Sequence, residues 1–443
     1  MEQQKYKWSN YSFLINIDSG ILMYNSTTGE VIRFKETKYI DFIEKIKDES
    51  IIDINNFSNE ENEIIKMFAE RRILVNSDLD ELSLLTYSFN NIILNNNMLE
   101  LTLIVTRQCN YRCVYCYEEH LDLPMQEEVY QSILKLLENV FATCQYNGVS
   151  ISLFGGEPLL EYEHLIDFLK KAYNIAEKYN KKFQVGATTN GSLLFPERFL
   201  ELYDVNCRHY QITLDGLSHT HDTYRLSTDG NGWHKIVENL KYMASTDKDF
   251  DVTIRTNFNE EILNDIDSFY NFLEKTFDSR FNIYYEGIKN LGGENDEYVD
   301  VLDTVSANIS AIEITNLIKK HNLKSNVCTE RIMPFSHICQ ATKPNSYIID
   351  YDGKLLKCTL DFNEPKNQIG YLTNDGELYV SHEKHCKWVT CGYETNDQCK
   401  RCKLLPICYG RSCVSGSIET KKIYCDGETE TMFLIEQIKN YYK

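Results

Sequence analysis

The sequence predicts an α/β protein built on a parallel sheet, open or curled into a partial barrel. A small β-rich unit precedes the sheet and a cysteine-rich segment follows it. Three observations carry this reading. Strand-like runs alternate with helical patterns from residue 101 to residue 320, the rhythm of β-α repeats. At 443 residues the chain has room for roughly two to four domains. Its 42% hydrophobic and 25% charged residues are those of a globular chain with a large core.

The first 76 residues read as a unit of their own. Residues 11–17, 21–25 and 31–34 are rich in β-branched and aromatic side chains, and Ser19-Gly20 and Thr28-Gly29 mark turns between them. A short helix follows with Ile40, Ile43 and Ile46 on one face. Ser58 and Glu61 make a capping box ahead of Ile64, Ile65, Phe68 and Ala69. Ile73-Leu74-Val75 is apolar enough to return to the sheet. A three-stranded meander with two or three helices leaves a sheet edge open, to which an extended peptide can add through main-chain hydrogen bonds. The same residues also read as a plain cap on the next domain. Residues 77–98 form a linker, helical at first and then Asn-rich through Asn95-Asn96-Asn97.

Strands are expected at 101–106, 149–154, 183–188, 208–214, 252–257 and 281–287. Helices are expected near 126–145, 161–179, 196–203, 233–245, 261–276 and 302–320. In a sheet of this kind the chemistry sits at the carboxyl ends of the strands. The segment 323–443 is poor in long periodic runs and rich in Cys, Gly and Asn. It is expected to depend on metal centres rather than a large apolar core.

Charge and targeting exclude some classes. With 46 basic against 66 acidic residues the net charge is −20, which disfavours a nucleic-acid binder and weakly suggests a peptide partner carrying basic residues. No apolar run reaches the roughly 18–20 residues that cross a bilayer, and the start of the chain lacks a signal-peptide core. A cytoplasmic protein is expected. Fifteen cysteines in a reducing compartment are metal ligands or catalytic groups more often than disulfides, and ten of them lie from Cys328 to Cys425.

Directly after the first barrel strand comes Cys109-Asn-Tyr-Arg-Cys113-Val-Tyr-Cys116. Three thiolates on such a loop can hold three irons of a cubane and leave the fourth open, whereas four would saturate it. Zinc, with His120 as fourth ligand, is the alternative. The spacing resembles that of the radical S-adenosylmethionine (SAM) enzymes, whose open iron chelates the methionine amine and carboxylate. Gly155-Gly156-Glu157-Pro158 matches that family's GGE motif at the end of strand two, and Asn190 follows strand three within Thr189-Asn190-Gly191. Thr213-Leu-Asp215-Gly216 and His221-Asp222-x-x-Arg225 resemble the run after strand four in one branch.

The resemblance implies a partial (β/α)6 barrel over residues 99–322 and reductive cleavage of SAM to a 5′-deoxyadenosyl radical. It implies roles as well. Tyr115 packs on adenine, Gly155, Gly156 and Glu157 meet the SAM amine, Thr213 meets the ribose, and Arg225 meets the SAM carboxylate or the cluster. Asn190 and Asp215 belong to the same set, and Arg255 and Asn257 are further polar groups on strand five.

The C-terminal cysteines, Cys339-x18-Cys358, Cys399-x2-Cys402-x5-Cys408-x4-Cys413 and then Cys425, resemble the SPASM extension of these enzymes, which binds two auxiliary 4Fe–4S clusters. Two intervals depart from its pattern: x4 stands for x3 before Cys413, and the first gap is long. By that resemblance Cys399, Cys402, Cys408 and Cys425 hold one cluster, and Cys339, Cys358 and Cys413 hold another. The fourth ligand of the latter is Cys328 or a substrate thiolate. Cys386 and Cys391 fall outside the motif. Cys144 and Cys207 read as small core residues.

Enzymes with this extension mostly modify peptides or proteins. Maturases of ribosomally made peptides commonly carry a winged-helix-like element that grips a leader peptide by strand addition, and residues 1–76 match it. The expected function is therefore a radical SAM peptide maturase installing a cross-link, a Cys thioether before a carbon–carbon bond, with a flavodoxin- or ferredoxin-type reductant. Anaerobic sulfatase maturases are the alternative. In them an Asp base follows the cysteine matching Cys358, where this chain has Thr359. No catalytic residue is assigned; Asp350, Asp352, Glu286 and Tyr285 are candidate bases by position. A non-catalytic metal scaffold or redox sensor is the third reading.

Overall fold

A computed structural model of the protein describes residues 4–94, 97–325, 327–336, 338–393, 397–410, 413–418, 425 and 427–442, and leaves out the side chains of residues 328–330. The chain divides into two units. One comprises Met1–Asn95, Cys328–Thr342 and Thr390–Lys443; the other comprises Asn96–Val327 and Lys343–Val389. The division cuts across the span 323–443, parts of which fall in each unit.

In the first unit the apolar alternation of the early residues builds two sheets. β1 (Lys5–Trp8) lies between β5 (Ile52–Asp53) and β6 (Leu74–Asn76), antiparallel to both. β2 (Ser12–Ile17), β3 (Gly20–Asn25) and β4 (Glu30–Phe34) form the antiparallel meander. Gly20 sits at φ +135°, and a Cβ there would lie 2.0 Å from the Phe34 carbonyl oxygen, so the turn needs glycine. Ile21 and Met23 point to the face covered by α1 (Thr37–Ile46) and α2 (Asn59–Glu70), where Phe42, Ile46, Ile65 and Phe68 are buried. Leu22 and Tyr24 point the other way, with Phe13 and Ile15, onto Leu404, Ile407, Leu434 and Ile438.

The capping box forms as expected: Ser58 Oγ accepts from Glu61 N–H and the Ser58 N–H donates to Glu61 Oε2 at 2.8 Å. Lys45 first, then Ser58, hold the Glu61 carboxyl down at about 2. α3 (Glu81–Leu94) opens the linker and buries Leu85, Phe89 and Ile93 against Tyr393, Leu405 and Tyr409. The Phe89 and Tyr409 rings stack with centroids 3.5 Å apart.

Two expectations are corrected here. Ile73-Leu74-Val75 returns to a sheet, but to that of β1 rather than the meander, and β1 is itself disguised by alternating lysines. The C-terminal segment is also not without a long periodic element. Gly427–Tyr442 is a helix whose Leu434 and Ile438 complete an apolar cluster with the meander. Its partner face lies some four hundred residues earlier, which hides the match from local pattern reading.

The second unit carries the six expected strands: β7 (Met98–Thr106), β9 (Gly148–Gly155), β10 (Lys182–Thr189), β11 (Cys207–Thr213), β13 (Asp251–Phe258) and β14 (Phe281–Gly287). They are all parallel in the order β14-β13-β11-β10-β9-β7. Between them run α4 (Glu127–Ala142), α5 (Tyr162–Lys178), α6 (Pro196–Asp204), α7 (Ser218–Tyr224), α8 (Gly232–Ser245), α9 (Glu260–Leu263) and α10 (Ile266–Thr276), with α11 (Thr304–Lys320) after β14. Leu101, Ile151, Val185, Ile212, Ile254 and Ile283 are all buried on one face of the sheet, whereas the alternate positions are less covered and Ser152 and Gln184 are exposed.

Sequence reading did not anticipate that the sheet continues beyond β7. β15 (Ser346–Ile349) pairs parallel with β7, and β16 (Lys354–Leu356), β17 (Gln368–Leu372) and β18 (Leu378–Val380) extend it antiparallel to ten strands. Two short strands, β8 (Tyr111–Cys113) and β12 (Arg225–Ser227), pair antiparallel outside this sheet. Among the described residues no helix is long and apolar enough to cross a membrane.

Candidate active site at the carboxyl ends of the barrel strands

The loop after β7 carries Cys109, Cys113 and Cys116. Pairing of β8 with β12 sets Cys113 opposite Arg225, and Cys116 N–H donates to the Cys113 carbonyl at 3.1 Å. The end of β9 is laid directly against this loop. Gly156 and Glu157 N–H groups donate to the carbonyls of Thr106 (3.0 Å) and Gln108 (2.9 Å). A Cβ on Gly155, at φ +122°, would stand 2.2 Å from the Thr106 oxygen, and one on Gly156 2.3 Å from the Gln108 oxygen. Both glycines are therefore demanded by backbone proximity alone.

Glu157 is fully buried and binds the strand ends together. Its Oε1 accepts from Leu159 N–H (2.9 Å) and Thr189 Oγ1 (2.7 Å), and its Oε2 from Asn190 N–H (2.7 Å). Burial pushes the carboxyl up and these donors pull it back. The Asn190 side chain donates to Asn110 Oδ1 at 2.8 Å, which ties the third strand's end to the cysteine loop.

A second buried network closes the other side. The Tyr115 hydroxyl donates to Asp215 and accepts from Arg225 Nη1 (2.9 Å) and Asn257 Nδ2 (3.1 Å). Asp215 Oδ1 accepts from the Asn257 N–H at 2.7 Å. Burial pushes the Asp215 carboxyl up, opposed first by Arg225. Thr213 ends β11 in register with Arg255, whose Nε donates to Asn257 Oδ1 at 2.9 Å. His221 accepts from the Asp215 N–H at Nδ1 (3.3 Å), and burial together with Arg225 keeps its ring neutral.

Two buried donors around this network, Arg225 Nε and His221 Nε2, have no partner among the described residues. Orphaned buried donors cost about 1–3 kcal/mol each, so they mark a place built for an anionic or acceptor-rich ligand. A ligand carrying a carboxylate fits such donors, as the amino-acid end of SAM would.

The thiols fit an iron–sulfur cluster. Burial, and for Cys109 also Glu157, pushes Cys109 and Cys116 up to about 12, and burial raises Cys113 as well. Only a strongly positive guest converts such thiols to thiolates. The backbone meanwhile prepares the sulfurs as acceptors. Cys109 Sγ receives the N–H of Tyr111 (3.3 Å), Cys358 that of Leu360 (3.4 Å), Cys402 that of Leu404 (3.4 Å) and Cys408 that of Gly410 (3.4 Å). In each case the donor is two residues on, an arrangement that supports a metal-bound sulfur. Among the described residues no three His, Cys, Asp or Glu side chains converge on a point that one ion would fill. A cubane takes one thiolate per iron and needs no such convergence.

In the C-terminal field, Cys399, Cys402, Cys408 and Cys425 lie near enough to perturb one another. Cys399 is raised by burial and by Cys402 and Cys425; Cys408 is raised by burial and by Cys402 and Cys399. Cys339 and Cys413 belong to the first unit and Cys358 to the second. The Cys328 side chain lies outside the described residues. Cys207 is buried as expected; Cys144 is exposed at φ +56°, in a turn rather than the core, because α4 ends before it.

None of the four candidate bases is free. Asp350 is buried and accepts from Arg107 Nη2 at 2.5 Å; Asp352 pairs with Lys354 (2.7 Å) and Glu286 with Lys289 (2.6 Å); Tyr285 is buried with its hydroxyl on Thr315 (2.8 Å). Sequence reading missed Arg107 and Glu118. The Arg107 guanidinium also stacks over Phe362, 4.4 Å from its centroid. Glu118 has a buried Oε2 without a partner among the described residues, and burial pushes its carboxyl up to about 7 against the pull of Arg107. Both flank the cysteine loop, but only burial gives them significance, and burial at a loop is not periodic in sequence.

The family model of the radical SAM superfamily matches residues 103–273, from β7 to α10. The chain carries a radical SAM domain. It is the chain of an enzyme, similar to a sulfatase-maturating enzyme and to a cyclopropyl synthase.

A Cys-type anaerobic sulfatase-maturating enzyme of Clostridium novyi is 23% identical over 359 residues, 76% of this chain and 91% of that one. The radical SAM cyclopropyl synthase TigE of Paramaledivibacter caminithermalis is 24% identical over 451 aligned positions, 88% of this chain and 86% of that one. Among solved structures, native anSMEcpe with bound AdoMet superposes with a TM-score of 0.59 at 16% identity, covering 78% of this chain and 100% of its own. Streptococcus suis SuiB bound to the precursor peptide SuiA gives 0.54 at 16% identity, covering 93% and 96%. These structural likenesses establish the fold.

Proposed function

We propose that this radical SAM enzyme is a peptide maturase that installs a cross-link, a thioether from a cysteine sulfur to a carbon of another residue, in a ribosomally made precursor peptide held through its leader. One observation carries the reading: a single chain joins the buried polar site around Cys109, Cys113 and Cys116 to a small N-terminal unit with an edge strand. β4 is the last strand of the meander and offers that edge. The relation to SuiB, solved with its precursor peptide, spans 93% of this chain and so extends well beyond the barrel.

In this reading residues 1–76 are the leader-recognition element, 77–98 a linker, 99–322 the barrel and 323–443 the SPASM domain. The cofactors are SAM and three 4Fe–4S clusters. Cys109, Cys113 and Cys116 hold the SAM-binding cluster; Cys399, Cys402, Cys408 and Cys425 hold one auxiliary cluster; Cys339, Cys358 and Cys413 hold the other, with Cys328 as its fourth ligand. When bound and reduced, the first of these would give one electron to SAM, whose C5′–S bond would break to leave methionine and a 5′-deoxyadenosyl radical able to take a hydrogen atom from the peptide. A flavodoxin- or ferredoxin-type protein donates the electron, in the cytoplasm.

This chain's own residues bind and orient. Arg225 faces the SAM carboxylate with its orphaned Nε, while Glu157 Oε2, which has a single donor, has room for the SAM amine. Tyr115 offers its ring to adenine, and Thr213 its hydroxyl to the ribose. Asp215 and Asn190 keep Tyr115 and the cysteine loop in place, and Gly155 and Gly156 let the backbone close on the ligand.

Formylglycine formation of the sulfatase-maturase type is the second reading. The Clostridium novyi relative, matched over 91% of its length, favours it; Thr359 in place of an Asp weighs against it. Coexpression with any short Cys-containing peptide found encoded beside the gene separates the readings. The thioether predicts loss of two hydrogens and a cysteine that no longer alkylates. A carbon–carbon bond predicts the same mass with an alkylatable cysteine, and a hydrazide-reactive aldehyde establishes the second reading. A peptide left unmodified contradicts all three.

A further inference from the structure

Asn367 is buried in the turn before β17 and uses every hydrogen-bonding position of its side chain on one loop. Its Oδ1 accepts from the N–H groups of Lys357 (2.9 Å) and Cys358 (2.8 Å). Its Nδ2 donates to the carbonyls of Cys358 (2.8 Å) and Asp361 (2.9 Å). An amide has two acceptor sites and two donors, so the side chain is saturated and the loop 357–361 is held at both ends. Within that loop Cys358 Sγ receives the Leu360 N–H, and Lys357 Nζ is pinned by the carbonyls of Lys343 (2.8 Å) and Ser346 (2.7 Å). The same segment reaches the loop after Cys116: Asn363 Nδ2 donates to Glu119 Oε1 at 3.2 Å, and Phe362 lies under Arg107.

We propose that Asn367 is the positioning residue of the auxiliary cluster site at Cys358, and that through the 358–363 loop it also fixes the surroundings of Cys116. The inference rests on Cys358 being a cluster ligand, as proposed above. The chemistry is that of outer-shell support. A thiolate held on a rigid loop, its amide donor already aimed, loses little entropy on binding iron, and the hydrogen bonds around it tune the cluster's potential. Asp cannot reproduce the arrangement, because a carboxylate has no donor for the Cys358 and Asp361 carbonyls and would repel them.

The test uses the full-length protein, reconstituted anaerobically with iron and sulfide. Iron content and the electron paramagnetic resonance spectrum after dithionite are read for wild type, Asn367→Asp, Cys358→Ala and the double variant. Cys358→Ala is expected to lower iron by about four atoms per chain. Asn367→Asp is expected to lose most of the same iron, with a native far-ultraviolet circular dichroism spectrum, and the double variant to lose no more than Cys358→Ala alone. The signal of the remaining SAM-site cluster is expected to shift in Asn367→Asp when SAM is added. Wild-type iron and spectra in Asn367→Asp would overturn the proposal, as would additive loss in the double variant. If Asn367→Asp does not fold, Asn367→Ser is read in the same way. Wild-type iron in Cys358→Ala would instead sink the ligand assignment on which the proposal rests.

Discussion

The two cysteine fields are built differently. Around Cys109, Cys113 and Cys116 lie buried ionisable groups: Glu157 and Asp215, each held by several hydrogen bonds, and Arg225, which donates to the Tyr115 hydroxyl. Around Cys399, Cys402 and Cys408 there are short helical turns, an apolar cluster with Leu404, Leu405 and Ile407, and N–H groups aimed at sulfur. Keeping a cluster in place needs backbone amides and packing. Orienting a second, asymmetric ligand on a cluster needs charge and shape around it, and barrel strand ends provide both. On the proposed reading, the difference matches ligand chemistry at the first field and storage or transfer of electrons at the second.

Variants can break that comparison. Cys116→Ala is expected to abolish 5′-deoxyadenosine formation, a fall of at least about a thousandfold, whereas Cys399→Ala keeps SAM cleavage and loses peptide product. Equal loss of SAM cleavage in both would erase the distinction. Arg225→Ala comes next. Removing a buried charge-assisted contact is expected to weaken SAM binding by about 2–4 kcal/mol, roughly thirty- to a thousandfold, read by equilibrium dialysis on the reconstituted protein. Gly156→Ala drives a Cβ against the Gln108 carbonyl and is expected to cost several-fold in SAM affinity with cluster content retained.

On the proposed reading, deleting residues 1–76 is expected to abolish processing of a leader-bearing peptide. Because Phe13, Ile15, Leu22 and Tyr24 also pack on Leu404, Ile407, Leu434 and Ile438, wild-type iron content and 5′-deoxyadenosine formation in the truncated chain are the controls that separate lost recognition from lost fold. The smallest effect concerns the capping box: Ser58→Ala is expected to cost about 1 kcal/mol of local stability at α2, measured by hydrogen exchange. Glu61 has a folded carboxyl pulled down to about 2 from its ordinary 4.5, so its contribution is fully present above 4.5 and fades as pH falls towards 2. A difference between wild type and Glu61→Gln that grew on acidification would contradict that sign.

Much of this was legible in sequence because it is local or periodic. The six barrel strands follow from alternating runs, the capping box from Ser58 and Glu61, and the site's order from glycines and cysteines at strand ends. What escaped is long-range. β1 pairs with residues far along the chain, and the helix Gly427–Tyr442 finds its apolar partner in β2 and β3. The extension of the sheet by β15 to β18 has too few residues per strand to stand out. The roles of Arg107, Glu118 and Asn367 appear only once burial shows that their polar atoms cannot reach water.

The most direct measurement is anaerobic incubation of the fully reconstituted enzyme with SAM and dithionite, with 5′-deoxyadenosine quantified by chromatography. This account predicts steady formation of 5′-deoxyadenosine that disappears in Cys109→Ala. No 5′-deoxyadenosine from a preparation carrying its full complement of iron would contradict it and leave a metal scaffold in its place.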